Sequence, residues 1–152
     1  MLSVIIPAYN EERTLAQVIE RVLASPLRPQ VIVVSDGSTD RTPRIIREYQ
    51  LRRGIIGVIN PTNGGKGAAI QAGLRFATQP YTIIQDADLE YYPEEYESLL
   101  DPVRRGQAQV VYGSRNLRHR GLMETPHREQ PHRRLQNLIA GILSSRLGSG
   151  RA

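Results

Sequence analysis

Val31-Ile32-Val33-Val34-Ser35-Asp36-Gly37-Ser38-Thr39-Asp40 decides the fold class. Four consecutive β-branched residues without alternation describe a strand covered on both faces, the usual state of a strand in a parallel sheet. Asp36-Gly37 is a turn signal, and Thr39 or Asp40 can cap a helix that follows. That helix runs to about Arg53, with Ile45, Ile46 and Tyr49 on its inner face. Upstream, Leu2 to Ile6 is an apolar run of strand length that ends at Pro7. Asn10-Glu11-Glu12 then leads into a helix whose Leu15, Val18, Ile19, Val22 and Leu23 recur at helical spacing. Downstream come a third strand at Ile55 to Ile59, the loop Asn63-Gly64-Gly65-Lys66-Gly67 and a small-residue helix through Ala68, Ala69, Ala72, Gly73 and Phe76. Tyr81 to Gln85 reads as a fourth strand, and Pro93 opens a helix with Tyr96, Leu99, Leu100 and Val103 on one stripe. Gln109-Val110-Val111-Tyr112 reads as a fifth strand, ending at Gly113-Ser114-Arg115. Strand and helix thus alternate with short connections, which predicts an α/β domain with a doubly wound, mostly parallel sheet flanked by helices.

Composition sets outer limits. The 152 residues suffice for one domain with a real core, at 39% hydrophobic content. There is no Cys, so disulfides and thiolate metal sites are excluded. The start lacks the basic region of a signal peptide, and no stretch approaches the ~20 apolar residues of a membrane span. A cytoplasmic protein is expected, in contact with the cytoplasmic face of a membrane at most. The formal charge of +5 is uneven: residues 115–152 carry eight basic and two acidic side chains, while the rest is near neutral. Such a tail suits phosphates or an anionic surface, or is simply an Arg-rich solvated segment in a chain with 19 Arg and one Lys. Nucleic acid is not expected as a partner, because no aromatics interleave with these Arg residues and no groove-reading motif is present. His119, His127 and His132 do not share one helical face, which argues against a histidine metal site. A last amphipathic helix is expected from Leu135 to about Leu147, suited to covering the sheet or to lying on a membrane.

The loops at the carboxyl ends of the predicted strands hold the polar and glycine-rich residues, and that edge is where open α/β sheets bind ligands. The fourth such loop, Gln85-Asp86-Ala87-Asp88-Leu89-Glu90, carries two carboxylates that can converge on one hard divalent cation and leave positions for a substrate's phosphates. Taken alone, the same pair also suits a solvated acidic loop or a helix start.

Together, Val4-Ile5-Ile6-Pro7-Ala8-Tyr9-Asn10-Glu11, Val33-Val34-Ser35-Asp36-Gly37-Ser38-Thr39-Asp40, Asn63-Gly64-Gly65-Lys66-Gly67-Ala68-Ala69, Asp86-Ala87-Asp88 and Gly113-Ser114-Arg115 resemble a family 2 glycosyltransferase of the GT-A fold. Within that family, Asp86-Ala87-Asp88-Leu89-Glu90 with Pro93-Glu94, and Val111-Tyr112-Gly113-Ser114-Arg115, are most similar to the polyprenyl-phosphate (dolichyl-phosphate) sugar synthases. The resemblance implies a metal-dependent, inverting transfer from a UDP- or GDP-sugar to a lipid-phosphate acceptor, in cell-wall or glycolipid assembly. It implies that Pro7, Ala8, Tyr9 and Glu11 line the base and ribose pocket, and that Asp36 meets the base edge. Lys66 would lie near the phosphates, Asp86 and Ala87 would also bind the nucleotide, and Arg115 would reach the phosphates. Asp86, Asp88 and Glu90 would hold Mg²⁺ or Mn²⁺, with Asp88 and Arg115 in catalytic roles. For Tyr9 the bland alternative is packing, for Gly37 and Gly67 turn geometry, and for Arg115 solvation.

The chain departs from the pattern in two places. Ser35 stands where the family usually has Asp, which would remove a polar contact near the base. Relatives also continue well past this point, so residues 1–115 are expected to form the nucleotide-sugar core, and residues 116–152 an incomplete acceptor region. The rival reading is a truncated nucleotide-sugar-binding remnant with little or no transfer activity.

Overall fold

The computed structural model describes residues 1–113. The elements are β1 (Leu2–Ala8), α1 (Leu15–Leu23), β2 (Gln30–Asp36), α2 (Thr42–Arg53), β3 (Ile56–Asn60), α3 (Lys66–Leu74), β4 (Tyr81–Ile84), a 3₁₀ turn at Pro93–Glu95 and α4 (Tyr96–Arg104). The four strands form one sheet in the order β3-β2-β1-β4. All three pairings are parallel, with Val4 opposite Val31 and Ile83, and Val33 opposite Gly57.

The absence of alternation in β2 has the cause expected for it. Val31 and Val33 join a large core with Val4, Ile6, Leu15, Val18, Ile19, Val22 and Ile46 on the α1 and α2 face. Ile32 and Val34 join a smaller core with Ile5 and Ala69 on the α3 face. The small residues of α3 permit that second layer to sit close. A β-carbon added at Gly73 would stand 2.6 Å from Ile5 Cγ2 and 3.2 Å from Val34 Cγ2. A bulkier residue there would force the helix off the sheet.

The strand order reverses beside β1. From β1 the chain moves outward through β2 to β3 across one face, then returns over the other face in α3 to place β4 on β1's free side. Connections leaving β1 and β4 therefore diverge, and the crevice between them is where ligands enter open α/β sheets.

Several boundaries differ from expectation: β1 and β2 extend to Leu2–Ala8 and Gln30–Asp36, and β4 stops at Ile84. The third strand is shifted by one residue at each end, to Ile56–Asn60. The third helix stops at Leu74, so Phe76 is not on its buried face but 44% exposed. The predicted fifth strand, Gln109–Tyr112, is not formed. It pairs with no strand among the described residues, and Val110 and Tyr112 face solvent while Val111 alone packs on the core. A short β-branched run has strand propensity, but only a paired neighbour makes it a strand. Ser114 and Arg115, the three histidines and the expected helix at Leu135–Leu147 lie outside the described residues.

Candidate functional site

The loop after β1 is stitched to the loop after β2. The Asn10 amide donates to Ser38 Oγ at 3.1 Å, and Asn10 Oδ1 accepts from the Thr39 amide at 2.9 Å. The Glu11 amide donates to Thr42 Oγ1 at 2.9 Å and the Glu12 amide to Asp40 at 3.1 Å. Asn10 adopts a left-handed backbone (φ 56°) to make this turn. Asp40 also accepts the amide of Thr42, the first residue of α2, at 2.9 Å, but the cap position itself is Arg41, without a side-chain cap bond, so neither Thr39 nor Asp40 is the helix cap. Burial pushes the Asp40 carboxyl up, but hydrogen bonds from the Thr42 side chain, the Thr42 amide and the Glu12 amide outweigh it and hold it below its ordinary value.

Asp36 ends β2 and is only 3% exposed. Its Oδ1 accepts from Asn60 Nδ2 and its Oδ2 from the Gly64 amide, both at 3.0 Å. Asn60 in turn accepts the Gly37 amide through its carbonyl at 3.1 Å. Gly37 has φ +67°, and a β-carbon there would lie 2.3 Å from the Asn63 nitrogen, so glycine is required by both conformation and space. Each Asp36 oxygen still has acceptor capacity for a ligand N–H.

The β4 loop is held from behind. The buried Tyr96 hydroxyl donates to Gln85 Oε1 at 2.8 Å, and Gln85 Nε2 donates to the Asp86 carbonyl at 3.1 Å. Burial, with a smaller contribution from Glu94, pushes the Tyr96 phenol far up, so it remains a neutral donor. Ala87 is buried, while Asp86 and Asp88 on either side of it are partly open. Asp88 Oδ1 accepts the Glu90 amide at 3.2 Å. Asp86 Oδ1 lies 2.6 Å from Lys66 Nζ.

These loops close on one cleft of about 350 Å³, lined by Pro7, Ala8, Tyr9, Glu11, Asp36, Asn63, Gly65, Lys66, Ala69, Asp86, Ala87 and Asp88. All eight residues expected to bind nucleotide are among them, together with Asp88. Tyr9 is half exposed, so its ring is available to a ligand rather than committed to packing. Glu90 is exposed and is not part of the lining. Ser35 is not part of it either: by strand alternation its side chain shares the face of Val31 and Val33, opposite Asp36. Its buried Oγ has no hydrogen-bond partner among the described residues. Serine in place of the usual aspartate therefore strips no contact from the cleft. Asn60 escaped the sequence reading because a polar residue closing a strand carries no signal of its own.

Four carboxylates and one ammonium line the cleft, so it favours cations and would repel an unaccompanied diphosphate. Asp86 and Asp88 offer the hard oxygen donors that Mg²⁺ or Mn²⁺ requires, and Asp86 already holds a cationic group. No cluster of three or more His, Asp or Glu occurs among the described residues, so a divalent ion here would take part of its coordination from ligand or water.

Comparison with known proteins agrees. The model of glycosyl transferase family 2 matches residues 3–151. A dolichyl-phosphate beta-glucosyltransferase of Trichomonas vaginalis is 34% identical over 130 residues, 76% of this chain and 40% of that protein. A dodecaprenyl-phosphate galacturonate synthase of Rhizobium johnstonii is 34% identical over 127 residues, 80% of this chain and 38% of that protein. Among solved structures, glucosyl-3-phosphoglycerate synthase of Mycobacterium tuberculosis, in complex with Mn²⁺, UDP-glucose and phosphoglyceric acid, superimposes with a TM-score of 0.62. It is 28% identical, over 78% of this chain and 45% of that one. The chain spans about a quarter to three fifths of the length of the curated relatives it matches. On its motifs, its parallel sheet and these matches, the chain belongs to glycosyl transferase family 2, with the GT-A fold.

Proposed function

We propose that this chain binds a nucleoside-diphosphate sugar together with a divalent cation and supplies the donor half of an inverting sugar transfer to a polyprenyl phosphate. One observation carries the reading: residues from four separate loops, each expected on its own motif to meet the donor, line a single cleft. Tyr9 offers an exposed ring beside Pro7 and Ala8 for the base and ribose. Asp36, held by Asn60 and Gly64, offers acceptor oxygens to a base N–H such as that of uracil or guanine. Lys66 opens α3, where its ammonium and the helix start both suit a diphosphate. Asp86 and Asp88 would hold the divalent ion, which when bound neutralises the diphosphate leaving group.

In the transfer, an acceptor oxygen bonds to the anomeric carbon on the face opposite the departing diphosphate, and the bond from that carbon to the diphosphate breaks. A lipid phosphate is already anionic near neutral pH and needs no general base. The polyprenyl-phosphate acceptor is supported by the similar proteins named above. It places the reaction at a membrane surface, to which the basic residues 115–152 are complementary in charge. Among the described residues no helix is long and apolar enough to cross a membrane.

Isothermal titration of UDP and GDP with and without Mn²⁺, followed by a product assay with a short polyprenyl phosphate, tests this. Metal-dependent binding with turnover is expected. Metal-dependent binding without turnover would mark a nucleotide-sugar-binding module. Binding that is unchanged in both Asp86→Ala and Asp88→Ala would remove the site.

A further inference from the structure

Lys66 and Asp86 are expected to serve different parts of the donor complex, yet here they hold each other. Lys66 Nζ lies 2.6 Å from Asp86 Oδ1, with the lysine side chain 48% exposed and the aspartate side chain 19% exposed. This is the only lysine in the chain. It is also the first residue of α3, where a cation opposes the helix dipole and is unfavourable unless an anion stands nearby. Asp86 supplies that anion, and a bound diphosphate would supply another.

We propose that Lys66 is a transferable counter-ion: it occupies Asp86 in the free protein and moves to the diphosphate when nucleotide and divalent ion enter. The inference rests on the reading of Asp86 and Asp88 as the ion's ligands. A half-exposed ammonium on a flexible stem is cheap to displace, and it needs only to rotate about its own side-chain bonds to leave the carboxylate. Until it leaves, the ion must compete with it for Asp86. The nucleotide offers the ammonium another partner and so raises the affinity for the ion. By linkage, the ion raises the affinity for nucleotide by the same factor. The device weakens the hold of a cleft of four carboxylates on a divalent ion until donor arrives.

The test is Mn²⁺ affinity of the full chain, read from the free-ion electron paramagnetic resonance signal, with and without UDP or GDP. Lys66→Met is expected to bind Mn²⁺ alone about three- to tenfold more tightly than the parent protein. It should bind nucleotide alone more weakly, and the gain in Mn²⁺ affinity that nucleotide confers should shrink. Lys66→Arg keeps a cation on Asp86 and should not tighten Mn²⁺ binding. If Lys66→Met binds Mn²⁺ alone no more tightly than the parent, while Asp88→Asn still weakens Mn²⁺ binding in the presence of nucleotide, the hand-over is wrong and the metal site survives. Equal tightening by Lys66→Arg and Lys66→Met would also overturn it. If Asp88→Asn leaves Mn²⁺ binding unchanged with nucleotide present, the metal site itself fails and takes the inference with it.

Discussion

Individual side chains divide into those that meet the ligand and those that hold them in place. Tyr96 belongs to the second kind. Its buried hydroxyl satisfies Gln85, whose amide braces the Asp86 carbonyl. Tyr96→Phe leaves Gln85 Oε1 short of a donor and is expected to cost about 1–3 kcal/mol in urea unfolding. Ser35 offers the opposite case. Its buried hydroxyl lacks a partner among the described residues, so Ser35→Ala should be neutral or gain up to about 1 kcal/mol, without changing nucleotide affinity. A loss of nucleotide affinity in that variant would put Ser35 in the site after all. Asp40 links stability to pH. Its folded pKa lies below the ordinary value of 3.8, so the protein binds this proton less readily folded than unfolded. The resulting stabilisation is present above about pH 4 and is lost as pH falls through the folded value. Asp40→Ala should cost about 1 kcal/mol at pH 7 through the lost hydrogen bonds from the Glu12 and Thr42 amides, and its acid limb of stability against pH should be flatter than the parent's.

Among elements, α3 is the most constrained. Ala69 is buried against Ile5, Ile32 and Val34, and Gly73 has no room for a β-carbon beside Ile5. Gly73→Val is expected to destabilise by about 1–3 kcal/mol or more through overpacking. Because Lys66, Gly65 and Ala69 also line the cleft, the same shift should weaken nucleotide binding. Nucleotide affinity that stays at the parent value in a destabilised Gly73→Val protein would show that α3's seat on the sheet does not position Lys66. Elements also show where sequence reading stops. β2 was legible because its β-branched run reflects burial on both faces. Gln109–Tyr112 has similar residue types but no adjacent strand among the described residues, and a run of letters does not reveal its neighbours. β4 has only four residues, yet it forms because β1 stands beside it, pairing Val4 with Ile83.

At the scale of the molecule, the order β3-β2-β1-β4 converts separate motifs into a site. The fold class and the cleft-lining residues were legible because they sit in loops at one edge of a parallel sheet, where polar and glycine-rich residues serve no core. The internal geometry was not. That Asp36 is held by Asn60, and Asp86 by Lys66, depends on which strands become neighbours and how far α3 descends onto the sheet. Ser35 looked like a missing ligand contact, and only the alternation of β2 turns it to the other face. The central claim is that one pocket at this edge gathers a divalent ion and a diphosphate. Anomalous diffraction from a crystal soaked with Mn²⁺ and UDP tests it most directly. The account predicts a manganese peak at coordination distance, about 2.0–2.6 Å, from a carboxylate oxygen of Asp86 or Asp88 and from the diphosphate. A peak bound to nucleotide but remote from both aspartates would contradict it.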